Sequence, residues 1–298
     1  MKKDYSHLHA STRTFADQSN EARIRRIRTD RWITYARADA ALLAMEDLLT
    51  FPKRTRMPNL LLVGPTNNGK TMIVEKFRRA HPPTEASKTE DGAAHIPVLK
   101  VQMPPGPDER RFFGAILDAV GVPWVATESV SKRQDAALRL MRLTQVQLLI
   151  IDEVHNLLSG AQMQQRRMLN ALRWLGNELQ IPLVAVGTAE ALHAMQSDDQ
   201  LANRFEPVRL PPWRDGEEFR QLLSTLEAVL PLRRASRLAD PALAQKILLA
   251  AEGILGEVVS IVTRAAVQAI MTGTEAISSK MIDDSGFISP SQRRRVAL

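Results

Sequence analysis

Apolar residues in this chain fall into two alternating patterns. Leu60-Leu61-Leu62-Val63, Leu148-Leu149-Ile150-Ile151 and Pro182-Leu183-Val184-Ala185-Val186-Gly187-Thr188 are short and nearly uninterrupted, the pattern of strands buried on both faces of a sheet. Ile96–Met103 predicts a further strand. Helical stripes lie among these runs: Ala41, Leu42, Met45, Leu48 and Leu49; Met72–Ala80; Phe112, Phe113, Ile116, Leu117 and Val120; Lys132–Leu143; and positions 168, 172, 175 and 179 of Met163–Leu179. Strands alternating with helices predict an α/β fold with a parallel sheet. Beyond Pro211-Pro212-Trp213 the pattern is helical only, over Phe219–Val229, Pro241–Ala251 and Glu257–Met271. The predicted layout is a flexible basic arm over 1–30, an α/β domain over 31–212, a small all-helical lid over 213–277 and a tail over 278–298, mobile over Ser289–Leu298 with Arg293-Arg294-Arg295. Within the arm, Ile24 and Ile27 predict a short helix with one apolar edge and its arginines turned to solvent or a partner.

The candidate chemistry sits where two of the apolar runs end. Leu60–Val63 leads into Gly64-Pro65-Thr66-Asn67-Asn68-Gly69-Lys70-Thr71, a complete Gly-x4-Gly-Lys-Thr phosphate-binding loop between a strand and a helix. The glycines let backbone N–H groups converge on phosphate oxygens, Lys70 adds a point charge, and the Thr71 hydroxyl is suited to Mg²⁺. The run 148–151 ends in Asp152-Glu153, and ligands of open α/β sheets collect at the carboxyl ends of strands. Asp152 is assigned to the Mg²⁺ shell. Glu153 stands where a carboxylate orients and deprotonates an attacking water. Together these predict a nucleoside triphosphate and Mg²⁺ as cofactors. His155, two residues past Glu153, is read as a packing or capping residue.

Composition narrows the class. A chain of 298 residues, 44% hydrophobic and 24% charged, can bury a full α/β core with a smaller unit beside it. No apolar run approaches the 18 or so residues needed to cross a bilayer, so no membrane association is expected. Met1-Lys2-Lys3-Asp4 has no apolar stretch behind it, which predicts a cytoplasmic protein without a secretory signal. With no cysteine, disulfides and thiolate metal sites are excluded, and the six histidines have no ligand-like spacing. A net charge of +7 suits a polyanionic partner, nucleic acid first.

A phosphate loop, an Asp-Glu strand end, a third strand ending in a polar residue, a later arginine and a helical lid resemble the AAA+ ATPase plan: a three-layer αβα P-loop domain plus a small all-helical lid. That resemblance implies that the nucleotide is ATP, that Thr188 senses the γ-phosphate, and that Arg204, in Leu201-Ala202-Asn203-Arg204-Phe205, reaches a neighbouring subunit's nucleotide. Five further strings narrow it: Met57–Gly64 (Met-Pro-Asn-Leu-Leu-Leu-Val-Gly), Ile151–Leu158 (Ile-Asp-Glu-Val-His-Asn-Leu-Leu), Asn177–Pro182, Val186–Ala191 and Leu230–Arg233. They resemble the TniB family, relatives of TnsC that regulate Mu- and Tn7-like transposition, over about Arg31 to Ile277. The resemblance implies an ATPase that forms a homo-oligomeric ring or helical filament on double-stranded DNA. It would mark a target and recruit or activate a DDE transposase, alongside a target-selection protein of the TniQ type, without performing strand transfer. One departure stands out: where many AAA+ members carry a lid arginine, this chain has Gly256 in Gly253-Ile254-Leu255-Gly256-Glu257.

Filament-forming relatives track the DNA backbone, which needs cations on loops and no base-edge chemistry. Arg110 and Arg111 after the Pro104-Pro105-Gly106-Pro107 turn, and Lys132 and Arg133 after the Ser-rich turn, are the candidates. Two other classes compete: a helicase-loader-like ATPase of replication, similar to the IstB or DnaC group, and an ATPase of secretion or envelope assembly.

Overall fold

The computed structural model of the chain describes residues 5–90, 92–196 and 203–296; Leu201 and Ala202 of the string before Arg204 lie outside them. In chain order the helices are α1 (Ala10–Ala16), α2 (Asn20–Arg28), α3 (Ala36–Leu49), α4 (Lys70–Ala80), α5 (Glu109–Ala119), α6 (Val130–Leu143), α7 (Gln162–Leu179), α8 (Ala189–Gln196), α9 (Glu217–Ala228), α10 (Pro241–Ala251), α11 (Leu255–Met271), α12 (Ser279–Asp283) and α13 (Pro290–Val296). The strands are β1 (Asn59–Val63), β2 (Val98–Gln102), β3 (Leu148–Asp152), β4 (Leu183–Gly187) and β5 (Phe205–Arg209). Packing divides the chain into two units. One takes Arg37–Thr66 and Lys70–Leu210; the other takes the described residues up to Ala36, then Asn67–Gly69, then those from Pro211 onward.

In the sheet unit the strands run β2-β3-β4-β1-β5, every adjacent pair parallel. Every residue of β1, β3 and β4 is buried, as uninterrupted apolar runs require when helices cover both faces of a sheet. Register places Leu61 opposite Ala185 and Ile151 opposite both Ala185 and Val101. The predicted stripe of α7 faces the core, with Met168, Leu172, Leu175 and Leu179 buried. β5 was not foreseen. Its sequence, Phe-Glu-Pro-Val-Arg, buries only Phe205, and Pro207 is tolerated because β5 is an edge strand.

The helical unit corrects both ends of the predicted layout. Residues from Tyr5 are no free arm, since Tyr5, Leu8 and Ala16 form a small buried cluster and Ile27 joins the larger core of α9, α10 and α11. Arg23, expected at the surface, is fully buried. It donates to Pro231 O at 2.9 Å and to Glu275 Oε1 at 2.9 Å, with a second bond to Glu275 Oε2. Such a bidentate pair makes burial of a guanidinium tolerable. Burial alone would raise the Glu275 carboxyl. Hydrogen bonds from Arg23 and the Arg233 N–H outweigh it and hold the acid below the usual range. The expected tail also has structure, because α12 buries Met281 and Ile282 and α13 follows. Among the described residues no single helix is long and apolar enough to cross a membrane.

Candidate nucleotide-binding site

The phosphate-loop residues leave β1 at its buried carboxyl end and enter α4 at Lys70. Gly64 is required by contact: a Cβ there would lie 2.7 Å from Leu210 O, the residue whose N–H closes onto Val63 O at 2.7 Å. Gly69 has φ +87°, which favours glycine. Lys70 Nζ donates to Gly64 O at 2.8 Å and Pro65 O at 2.7 Å. Burial lowers its pKa, while the charges of Glu153 and Asp152 pull it back up.

β3 delivers the predicted acids to the same strand ends. Thr71 Oγ1 donates to Asp152 Oδ2 at 3.4 Å, bridging residues 81 positions apart. Asp152 is buried, and its Oδ1 accepts from Glu153 N at 2.9 Å. Glu153 turns the chain out of β3 with φ 56°, a left-handed conformation uncommon for a non-glycine residue. Its Oε2 lies 3.2 Å from His155 Nε2, so His155 contacts the candidate base rather than merely packing. Among the described residues no cluster of three or more His, Asp or Glu side chains is placed to hold a metal alone. Thr71 and Asp152 are hard oxygen donors of the kind Mg²⁺ takes when phosphate and water complete its shell. Together with a glycine-constrained loop and a buried lysine, they fit a magnesium–triphosphate.

Thr188 follows β4 directly, and its hydroxyl donates to Glu190. That bond, together with the Glu190 backbone N–H, holds the Glu190 carboxyl below its ordinary value. Arg204, just before β5, donates from Nη1 to Asn177 Oδ1 at 2.8 Å. Sequence reading missed Lys100, whose Nζ lies 2.9 Å from Glu75 Oε1 and 3.3 Å from Asp152 Oδ2. Burial would raise Glu75, but hydrogen bonds from Lys100 and Arg78 outweigh that and lower its pKa. The available signal was a lone cation inside the otherwise apolar core of Ile96–Met103.

The model of the family described as Bacterial TniB protein matches residues 23–215. The chain belongs to the TniB family. Among solved structures, it is similar to the ORC2 protein of Aeropyrum pernix in its ADPNP–ADP complexes, at 15% identity and TM-score 0.58 over 88% of this chain and 70% of that one. The ORC1 protein of the same organism, in complex with DNA, matches at 17% identity and TM-score 0.59 over 92% and 69%. Cdc6p from Pyrobaculum aerophilum matches at 16% identity and TM-score 0.59 over 87% and 69%. These likenesses establish the fold, that of the AAA+ P-loop ATPases. No curated protein sequence matches the chain.

The cations proposed for DNA separate into two kinds. Arg110 and Arg111 at the start of α5, and Lys132 at the start of α6, are exposed. Arg133 is not: it is buried, stacks 3.9 Å from the Trp124 ring centroid, and donates to the backbone oxygens of Arg110, Val125 and Ala126. With all three carbonyls bound to one guanidinium, Arg133 ties α6 to the turn ahead of it and is withdrawn as a phosphate contact.

Proposed function

We propose that this TniB-family chain is an ATP-dependent, DNA-binding AAA+ regulator of DNA transposition. It would assemble as a homo-oligomer on double-stranded DNA and recruit or activate a DDE transposase, with a TniQ-type protein selecting the target. The observation that carries the nucleotide part is the Thr71–Asp152 contact at 3.4 Å, because it joins the two motifs at one set of strand ends. Family membership supports the transposition part.

The roles follow from placement. Thr66–Gly69 supply backbone donors, and Lys70 supplies charge to the terminal phosphates. Thr71 and Asp152 would hold Mg²⁺, which when bound neutralises charge on the phosphoryl oxygens. Glu153 orients the attacking water and takes its proton, with His155 at 3.2 Å steadying the carboxylate. Thr188 reads the γ-phosphate, and Arg204 stabilises charge on a neighbouring protomer's nucleotide. Arg110, Arg111 and Lys132 meet phosphates of the duplex. The helicase-loader reading is the alternative, and the likenesses to the ORC proteins and Cdc6p bear on it only as fold.

The test is Glu153→Gln in the full chain with duplex DNA. Turnover should fall roughly 10²–10⁴-fold, the range for loss of a general base. ATP-dependent assembly on DNA, seen by electron microscopy and sedimentation, should persist. Normal hydrolysis in this variant removes Glu153 from its role. A wild-type protein that stays monomeric on DNA with every adenine nucleotide removes the assembly reading.

A further inference from the structure

The helical unit contains three residues of the phosphate-binding string, Asn67–Gly69, and they are bonded within it. Gly256 N donates to Asn67 O at 2.9 Å, and Leu255 N donates to Asn68 Oδ1 at 3.0 Å. Asn67 Nδ2 donates to Glu257 Oε1 at 3.1 Å. The other oxygen of Glu257 accepts from Arg293 of α13. Arg293 also lies 5.8 Å from the Phe287 ring centroid. A second bond, Ser291 N to Glu252 Oε1 at 2.9 Å, fixes the same segment.

Three features make this chain of contacts more than packing. Asn67 has φ 61°, a left-handed conformation that must be held in place by its neighbours. Glu257 is buried, and a buried carboxylate without a cation is costly; Arg293 is the cation that meets it. Gly256 leaves room for Asn67: a Cβ at 256 would lie 2.1 Å from Asn67 Oδ1, so any larger side chain there displaces the asparagine from Glu257. The missing lid arginine and the Asn67–Glu257 bond are thus two sides of one arrangement, with the guanidinium arriving from the C-terminal helix.

We propose that Arg293 is a positioning residue for triphosphate binding, acting through Glu257 to fix Asn67 in the phosphate loop. The inference rests on the nucleotide reading of that loop. Its consequence is reciprocal: if docking of α13 favours triphosphate, triphosphate holds α13 down by the same factor.

The experiment measures equilibrium binding of a fluorescent ATP analogue to the full chain. Arg293→Ala should weaken it roughly tenfold, a typical coupling between linked sites. Arg293→Lys should recover most of the affinity by restoring the charge, and Arg295→Ala, two positions on, should bind like the wild type. Combining Arg293→Ala with Asn67→Ala should be no weaker than Asn67→Ala alone, because both act on one bond. Hydrogen exchange over 287–296 in the wild-type chain should slow when the analogue is added, a readout independent of whether any variant folds. Wild-type affinity in Arg293→Ala, additivity in the double variant, or unchanged exchange overturns the proposal while leaving the nucleotide reading intact. A wild-type chain that fails to bind the analogue overturns both.

Discussion

In the sheet unit the interior is supplied by nearly uninterrupted runs: β1, β3 and β4 are each five buried residues and lie side by side at the centre of the sheet. In the helical unit, closure depends on partners at opposite ends of the chain. Arg23 meets Glu275 across 252 positions, and Arg233 donates to Ala16 O across 217. Apolar burial is non-directional, so a strand run of suitable length finds a place in the sheet with many possible neighbours. A buried guanidinium needs acceptors in fixed directions, for Arg23 a carboxylate and a carbonyl. The first kind of interior tolerates conservative change; the second is specific and fragile.

The largest expected effect is on that fragile closure. Arg23→Ala leaves Glu275 buried with only Arg233 beside it, and should cost about 3–5 kcal/mol of stability. Urea unfolding followed by circular dichroism measures this. Replacing both partners, Arg23→Met with Glu275→Leu, should recover most of the loss, since apolar groups of similar volume can substitute for a buried pair. A loss below about 1 kcal/mol in the single variant would break the comparison, because ordinary surface pairs cost that much.

A smaller effect tests whether the sheet unit also has such an arginine. Arg133→Ala removes the donor shared by three carbonyls and should cost about 1–3 kcal/mol, with no change in the salt dependence of DNA binding. Lys132→Ala should do the reverse: stability unmoved, and the slope of log affinity against log salt shallower by about 0.9. A changed salt slope in Arg133→Ala would return that residue to the proposed DNA contacts.

The smallest effect concerns acid. Glu275 has a folded pKa below its ordinary value, so its contribution is present above the unfolded carboxylate pKa of about 4.3 and is lost as pH falls through the folded value. Glu75 in the sheet unit is lowered for the same kind of reason. Unfolding midpoints of the wild type should therefore drop on acidification below that range. Glu275→Gln and Glu75→Gln should each show a shallower drop, and parallel curves for wild type and Glu275→Gln would show that the pair does not govern acid stability.

The central strands and the stripe of α7 were legible because burial on two faces or one stripe repeats along the chain, and repetition can be counted. The phosphate loop and Asp152-Glu153 were legible because backbone convergence and strand-end acids demand particular residues at particular spacings. β5 was not, since an edge strand needs no apolar run, and Glu206 and Pro207 disguise it. The segment before Ala36 was half legible: Ile24 and Ile27 announced α2 and its apolar edge, while α1 and the burial of Arg23 were missed for a different reason. Most polar residues of α1 and α2 face solvent, but Thr12 and Arg23 are buried, and a single charged residue carries no period to announce its partner. Lys100 beside Asp152, His155 beside Glu153, and the link from Arg293 through Glu257 to Asn67 were likewise settled by the fold, each joining residues whose meeting depends on where separate elements end. The sequence by itself determined the central strands, the striped helices and the Gly-x4-Gly-Lys-Thr motif, because those are local properties. Only tertiary structure decided which charges meet, because a charge's partner is fixed by distance in space and direction of bonds, and neither is written along the chain.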